Sequence, residues 1–116
     1  GITVEQFGTG RFIRGNPAPE DFAAARRGIE RVKEIFAGRS HQLVVLDEAN
    51  VAAACGLFPS ADLLDIVQTR PEGVEVVLTG RQAAPELIAR ADLVTEMKAV
   101  KHYYQAGVAA RTGIEK

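Results

Sequence analysis

The sequence lacks most of the features that would assign a chain to a chemical class at sight. It holds a single cysteine, Cys55, so no internal disulfide can form, and that usage fits a reducing cytosol. Within Val51-Ala52-Ala53-Ala54-Cys55 this residue reads as a small member of the core. No apolar run approaches the roughly 20 residues of a membrane-crossing helix, and no charged-then-apolar leader opens the chain. A membrane segment is therefore not expected, and the location expected is cytoplasmic. With 14 basic and 15 acidic residues the net charge is −1. Without a broad basic field, nucleic acid and anionic membrane are poor main partners. Histidine is scarce too, at two residues. His41 has no ligand-spaced companion and reads as a surface residue, and His102, between Lys101 and Tyr103, reads as a contact within the tail. No Ser-His-Asp or Cys-His arrangement is legible, and no glycosidase carboxylate pair stands out. The most telling absence is the phosphate loop G-x-x-x-x-G-K-[ST]. Gly8-Thr9-Gly10-Arg11 is too short for one and lacks the lysine and hydroxyl that should follow.

What is present is one globular domain of 116 residues, 47% hydrophobic and 25% charged, without repeats, low-complexity tracts or an interdomain linker. Ile2-Thr3-Val4-Glu5-Gln6-Phe7 alternates as a first strand should, before Gly8, Gly10 and Gly15 break it. Phe22, Ala25, Ile29, Val32 and Phe36 then recur at helical spacing, predicting an amphipathic helix that stops near Gly38. Leu43-Val44-Val45-Leu46 is a continuous apolar run, the pattern of a parallel strand covered on both faces. Asp47 onward turns into a short helix through Ala54, ended by Gly56 and Pro59. Ser60 is placed to cap a second helix from Ala61 to about Thr69, with Leu63, Leu64 and Val67 inward. A third strand over 74–79 is followed by a brief helix opened by Pro85, with Leu87 and Ile88, and a fourth strand is expected over 92–97. Strands alternating with helices imply an α/β domain with a parallel sheet and flanking helices. Beyond Lys98 the period fades into a packed but irregular tail crossing the domain surface.

In open parallel sheets, ligands bind outside the carboxyl ends of the strands. Applied here, that edge gathers Gly8-Thr9-Gly10-Arg11, Asp47-Glu48, Thr79-Gly80-Arg81 and the region of Glu96 and Lys98. Carboxylates hold a hard divalent ion through oxygen, and arginine's planar fork suits phosphate, so the combination points to a polyphosphate with magnesium. A plainer alternative stands beside it: Asp47 could cap the following helix and Glu48 could be a solvated first-turn acid. Arg81 is either an exposed loop arginine or a phosphate ligand, with Gly80 allowing close approach to an anion.

Taken in order, Val45-Leu46-Asp47-Glu48, Val77-Leu78-Thr79-Gly80-Arg81, Ala91 to Met97, Val100-Lys101-His102, Gly107-Val108 and Gly113-Ile114-Glu115 resemble the bacterial ATP:corrinoid adenosyltransferases of the P-loop type. The resemblance covers most of the chain. It implies a P-loop nucleotide-hydrolase-like fold whose N-terminal strand–loop–helix is missing, so the chain is expected to be the C-terminal portion of such a protein. The activity implied is transfer of the 5′-deoxyadenosyl group of ATP to the cobalt of a reduced corrinoid, with triphosphate leaving, in cobalamin synthesis or salvage. Cobalt is the nucleophile, which agrees with the lack of a catalytic side-chain nucleophile. Carried over by position, Glu48 is the magnesium-side carboxylate with Asp47 in support, and Thr79, Gly80 and Arg81 lie at the ATP. Arg11, Phe12 and Ile13 stand at the corrinoid, where the family carries Phe-Thr-Trp after the glycine. Residues 1–116 alone are expected to bind ATP poorly and to be inactive. The implied partners are a homodimer mate and a reductase. A non-catalytic corrinoid- or partner-binding module and a magnesium-dependent nucleoside triphosphatase are the competing readings.

Overall fold

The longest apolar period in the sequence becomes the longest helix of the computed structural model, which describes residues 1–10 and 15–114. Helix α1 spans Pro19–Gly38. Proline at its first position forgoes an N–H that would have had no partner inside the helix. Asp21 accepts the Ala18 N–H at 2.9 Å, the reach-back half of a capping box. The helix ends where expected, but the left-handed closing residue is Arg39 (φ 48°), whose N–H reaches the carbonyls of Ile35 and Phe36. Ala24, Ile29, Val32 and Phe36 form its buried face. Phe22, expected there, stands 42% exposed because it falls on the flank of that face.

Strand β1, Leu43–Leu46, pairs in parallel with β2, Glu75–Leu78, Val44 opposite Val76 and Leu46 opposite Leu78. Between them lie α2, Ala49–Ala54, and α3, Ser60–Thr69, and beyond β2 comes α4, Pro85–Arg90. Parallel strands need such a crossover because their ends lie at opposite edges of the sheet. The α/β class and the parallel pairing agree with the sequence reading. Val44, Leu63, Ile66, Val74 and Leu87 join the inner face of α1 in one core. Leu63 and Ile66 are fully enclosed, each contributing about 1.5–3 kcal/mol by removal from water.

Several expectations are corrected. Residues 2–7 and 92–97 form no strand, and Ile2, Val4, Leu93 and Met97 are exposed. Without a ladder neighbour, an alternating segment has no backbone partners to make it a strand. β1 is covered on one face only: Val44 is buried, while Leu43 and Val45 are each 54% exposed alongside Val77. On α3 the enclosed pair is Leu63 and Ile66, three apart, with Leu64 and Val67 at the margin. Ser60 does not cap α3; Pro59 takes the cap position and the Ser60 hydroxyl donates to Glu86 on α4. On α4, Leu87 is buried but Ile88 is exposed. Cys55 is exposed, since it follows the last turn of α2 and the chain reverses at Gly56 (φ 76°). The tail is irregular as expected, with one 3-10 turn at Tyr103–Ala106, but residues 100–114 are exposed rather than packed. His102 does make a tail contact, its Nδ1 accepting the Tyr104 N–H at 3.1 Å. Among the described residues no helix is long and apolar enough to cross a membrane.

Candidate functional site

Because β1 and β2 run parallel and in register, their carboxyl ends emerge side by side. The Thr79 N–H donates to the Leu46 carbonyl at 3.1 Å, carrying the ladder one step past the strands. There the side chains take over. The Thr79 hydroxyl donates to Asp47 Oδ1 at 2.6 Å and accepts the Glu48 N–H at 3.0 Å. The Asn50 N–H donates to the Thr79 carbonyl at 3.1 Å, and Asn50 Nδ2 donates to the Gly80 carbonyl at 3.3 Å. Two strand exits are thereby laced together through one threonine and one asparagine.

Backbone geometry tightens the lacing. Gly80 sits at φ 113°, a conformation that side chains disfavour. A Cβ there would stand 3.2 Å from both Val51 N and Val51 Cγ2 and 3.3 Å from Glu48 Cα, so only glycine lets the two turns touch. Glu48 is itself left-handed at φ 57° and occupies the cap position of α2, yet its side chain caps nothing. The Asp47 carboxylate is engaged by Thr79 instead. Asp47 therefore does not play the helix-capping part that the sequence left open, whereas Glu48 stands as a solvated acid at the start of α2. Both side chains are exposed, and among the described residues Asp47 Oδ2 and both Glu48 oxygens accept no hydrogen bond.

Such a pair suits a hard cation that draws most of its shell from water and phosphate oxygens. Among the described residues no group of three or more His, Cys, Asp or Glu could hold a metal by itself. The donor set thus fits magnesium accompanied by phosphate better than a metal caged by protein. Arg81 follows Gly80 directly, is exposed, and has no hydrogen bond or ion pair among the described residues.

A groove leads to the acids between residues 1–10, α1 and β1, lined in part by Phe7, Gly28, Val32, Val45 and Leu46. Its outer wall is held to α1 by Arg31, whose guanidinium takes both Glu5 oxygens at 3.0–3.1 Å. That hydrogen bonding holds the Glu5 carboxyl below the usual carboxylate range. Gly28 leaves room for Phe7, which a Cβ would meet at 3.2 Å.

The other expected clusters do not assemble at this edge as strand exits. Thr9 donates to Asp21 at 2.8 Å in the first turn of α1. Glu96 and Lys98 pair with each other at 3.3 Å on an exposed, irregular segment. Arg11, Phe12 and Ile13 lie outside the described residues. What the sequence reading missed is Asn50. The signal was a lone polar residue opening an otherwise apolar helix, three positions after Asp47.

Comparison with known proteins bears on this arrangement. The family described as ATP:corrinoid adenosyltransferase BtuR/CobO/CobP matches over residues 2–115. A corrinoid adenosyltransferase of Pseudomonas aeruginosa is 41% identical over 95 residues, covering 82% of this chain and 47% of that protein. One from Sinorhizobium is 38% identical over 96 residues, covering 82% of this chain and 45% of its own length. One from Escherichia coli K12 is 30% identical over 115 residues, covering 99% of this chain and 59% of its length. The chain thus spans about half the length of the curated relatives it matches.

Proposed function

Since this chain belongs to the ATP:corrinoid adenosyltransferase family, we propose that it forms the strand-exit part of an ATP site in an enzyme that adenosylates a reduced corrinoid. Cobalt, as substrate, donates an electron pair to the ribose C5′; the C5′–O bond breaks and its electrons leave with triphosphate. The carrying observation is that the family match extends over a chain whose Asp47, Glu48, Thr79, Gly80 and Arg81 the fold brings to one edge. In this reading Asp47 and Glu48 hold magnesium, which when bound neutralises charge on the triphosphate. Arg81 offers its planar fork to phosphate oxygens, and the Thr79-Gly80 turn fixes where it starts. With no side chain needed as nucleophile, the protein's work is orientation, charge complementarity and exclusion of water from a strong reductant.

The grip on triphosphate that these residues do not offer is assigned to chain outside residues 1–116, in a P-loop-type fold. The half-length coverage and the uncovered outer face of Leu43, Val45 and Val77 support that assignment. A homodimer is proposed as well, and an exposed free thiol at Cys55 fits the cytoplasm. Arg11, Phe12 and Ile13 are proposed at the corrinoid, and a reductase is proposed to deliver the electrons. The test is to supply the intact protein with ATP, Mg²⁺ and chemically reduced cobalamin and follow adenosylcobalamin by its absorbance. Product is expected, with Arg81→Ala lowering kcat/KM for ATP by about tenfold to a hundredfold, the scale of one charge-assisted phosphate contact. Triphosphate release without corrinoid would favour a triphosphatase, and tight cobalamin binding indifferent to ATP would favour a binding module.

A further inference from the structure

Asn50 makes sense neither as a core residue nor as a solvated one. It is 7% exposed, on the first turn of α2, and its Oδ1 is a buried side-chain atom without a hydrogen-bond partner among the described residues. Leaving such an oxygen unpaired is unfavourable, and a small apolar residue opening this Ala- and Val-rich helix would avoid the penalty. The residue sends one backbone and one side-chain donor to the neighbouring turn: its N–H to the Thr79 carbonyl at 3.1 Å and its Nδ2 to the Gly80 carbonyl at 3.3 Å. The same threonine places its hydroxyl on Asp47 Oδ1 at 2.6 Å and takes the Glu48 N–H at 3.0 Å. A chain of contacts thus runs from Asn50 through Thr79 to both acids.

We infer that Asn50 is a positioning residue: by holding the Thr79-Gly80 turn against the exit of β1, it fixes the Asp47 carboxylate and the backbone from which Glu48 projects for a divalent cation. Among the described residues Asn50 hydrogen-bonds neither carboxylate; its side chain acts through the Gly80 carbonyl and so through the turn that carries Thr79. The orphaned oxygen is the cost of keeping an amide where its nitrogen is needed. The inference rests on the reading of Asp47 and Glu48 as a cation-binding pair. It adds that the Asp47 carboxylate and the Glu48 backbone are held from the turn after β2 rather than by the Asp-Glu sequence alone.

The test is Mn²⁺ binding to the intact protein in the presence of ATP, read by electron paramagnetic resonance, with half-saturating Mg²⁺ for turnover as a second readout. Asn50→Ala is expected to weaken Mn²⁺ by about tenfold to a hundredfold, the usual loss when a supporting partner of a ligand is removed. The demand for Mg²⁺ should rise in step, ahead of any loss in kcat. Should Asn50→Ala fail to fold, Thr79→Val removes the hydroxyl on Asp47 while leaving Asn50 in place, and the same weakening is expected. Ile66→Val controls for stability: it trims the core away from the site and should lower Tm with Mn²⁺ affinity unchanged. Wild-type Mn²⁺ affinity in both Asn50→Ala and Thr79→Val, with Glu48→Gln weakened, would overturn the inference alone. Equal weakening by Ile66→Val would overturn it as well, by showing general destabilisation. Unchanged affinity in Glu48→Gln would instead sink the cation-pair reading on which it rests.

Discussion

Residues 74–79, Val-Glu-Val-Val-Leu-Thr, and residues 92–97, Asp-Leu-Val-Thr-Glu-Met, are alike in length and in mixing apolar with acidic positions, though the first holds four β-branched residues and the second two. The first contains β2 with β1 as its partner; the second is irregular, with Leu93 85% and Met97 94% exposed. Propensity leans toward the first segment but does not by itself make a strand, because what β-propensity measures is largely the fit of side chains to a neighbour already present. β2 has Val44 and Leu46 beside it and Leu63 and Ile66 in the core below, whereas no described strand accompanies residues 92–97. Among the described residues the paired region alone offers two exits in register, and on that the lacing of Asp47, Glu48, Asn50, Thr79 and Gly80 depends.

The sharpest way to break this comparison is to unlace the paired region. Gly80→Ala places a Cβ 3.2 Å from the Val51 backbone at a φ of 113°, and neither the turn nor the opening of α2 can yield without losing the Asn50 and Thr79 bonds. A backbone held in so sparsely populated a region costs on the order of 1–3 kcal/mol, and the contact adds to it. The expected loss is about 2 kcal/mol or more in urea denaturation. A loss below about 0.5 kcal/mol, the scale of an ordinary surface change, would show that the two exits are not rigidly joined.

This distinction between local pattern and available partner marks how far the sequence could be read. Helix α1, both paired strands and the helices between them were legible because each carries its own period and punctuation, such as Pro19, Gly56 and Pro85. The acids at 47 and 48 and the Thr-Gly-Arg turn were legible as candidates because they follow strands. Burial on one face of β1 was not, since a run of four apolar residues looks alike whether one side or both are covered. Nor was the role of Asn50, whose partners lie some thirty positions away across the sheet. Cys55 misled for the opposite reason: its apolar neighbours suggested a core that the end of α2 turns away from.

A smaller effect is expected where an unpaired segment is tied down by charge. Residues 1–10 are held to α1 by the bonds of Arg31 to Glu5, by Thr9 on Asp21 and by Phe7 over Gly28. Arg31 lowers the folded-state pKa of Glu5, so the tether contributes fully above the ordinary carboxylate pKa of about 4.3 and is lost as pH falls through the depressed folded value. Backbone order of residues 2–7, read by NMR relaxation, is therefore expected to stay constant from neutral pH to about 5 and to fall in more acid solution. Glu5→Gln should show the lower order at every pH, with global stability nearly unchanged because the pair is exposed. Order that is the same in Glu5→Gln as in the parent would mean that Phe7 and Thr9 alone hold the segment.

The smallest effect should come from the unpaired region itself, and it carries the most information about the comparison. Replacing Leu93 and Met97 together by Gln alters two large side chains that are already 85% and 94% exposed, so the 116-residue chain should change by no more than about 0.5 kcal/mol. In the proposed P-loop-type fold, by contrast, residues 92–97 acquire a neighbour from chain outside residues 1–116. The same double substitution then exposes the amides to a buried environment, and a loss of about 2 kcal/mol or more is expected in the intact protein. Measuring both by urea denaturation turns one pair of mutations into a comparison between two contexts. Equal, negligible effects in both would mean that the strand-like pattern of 92–97 is never used. A large effect already present in the 116-residue chain would mean that these side chains are covered, contrary to the exposure that sets the two segments apart.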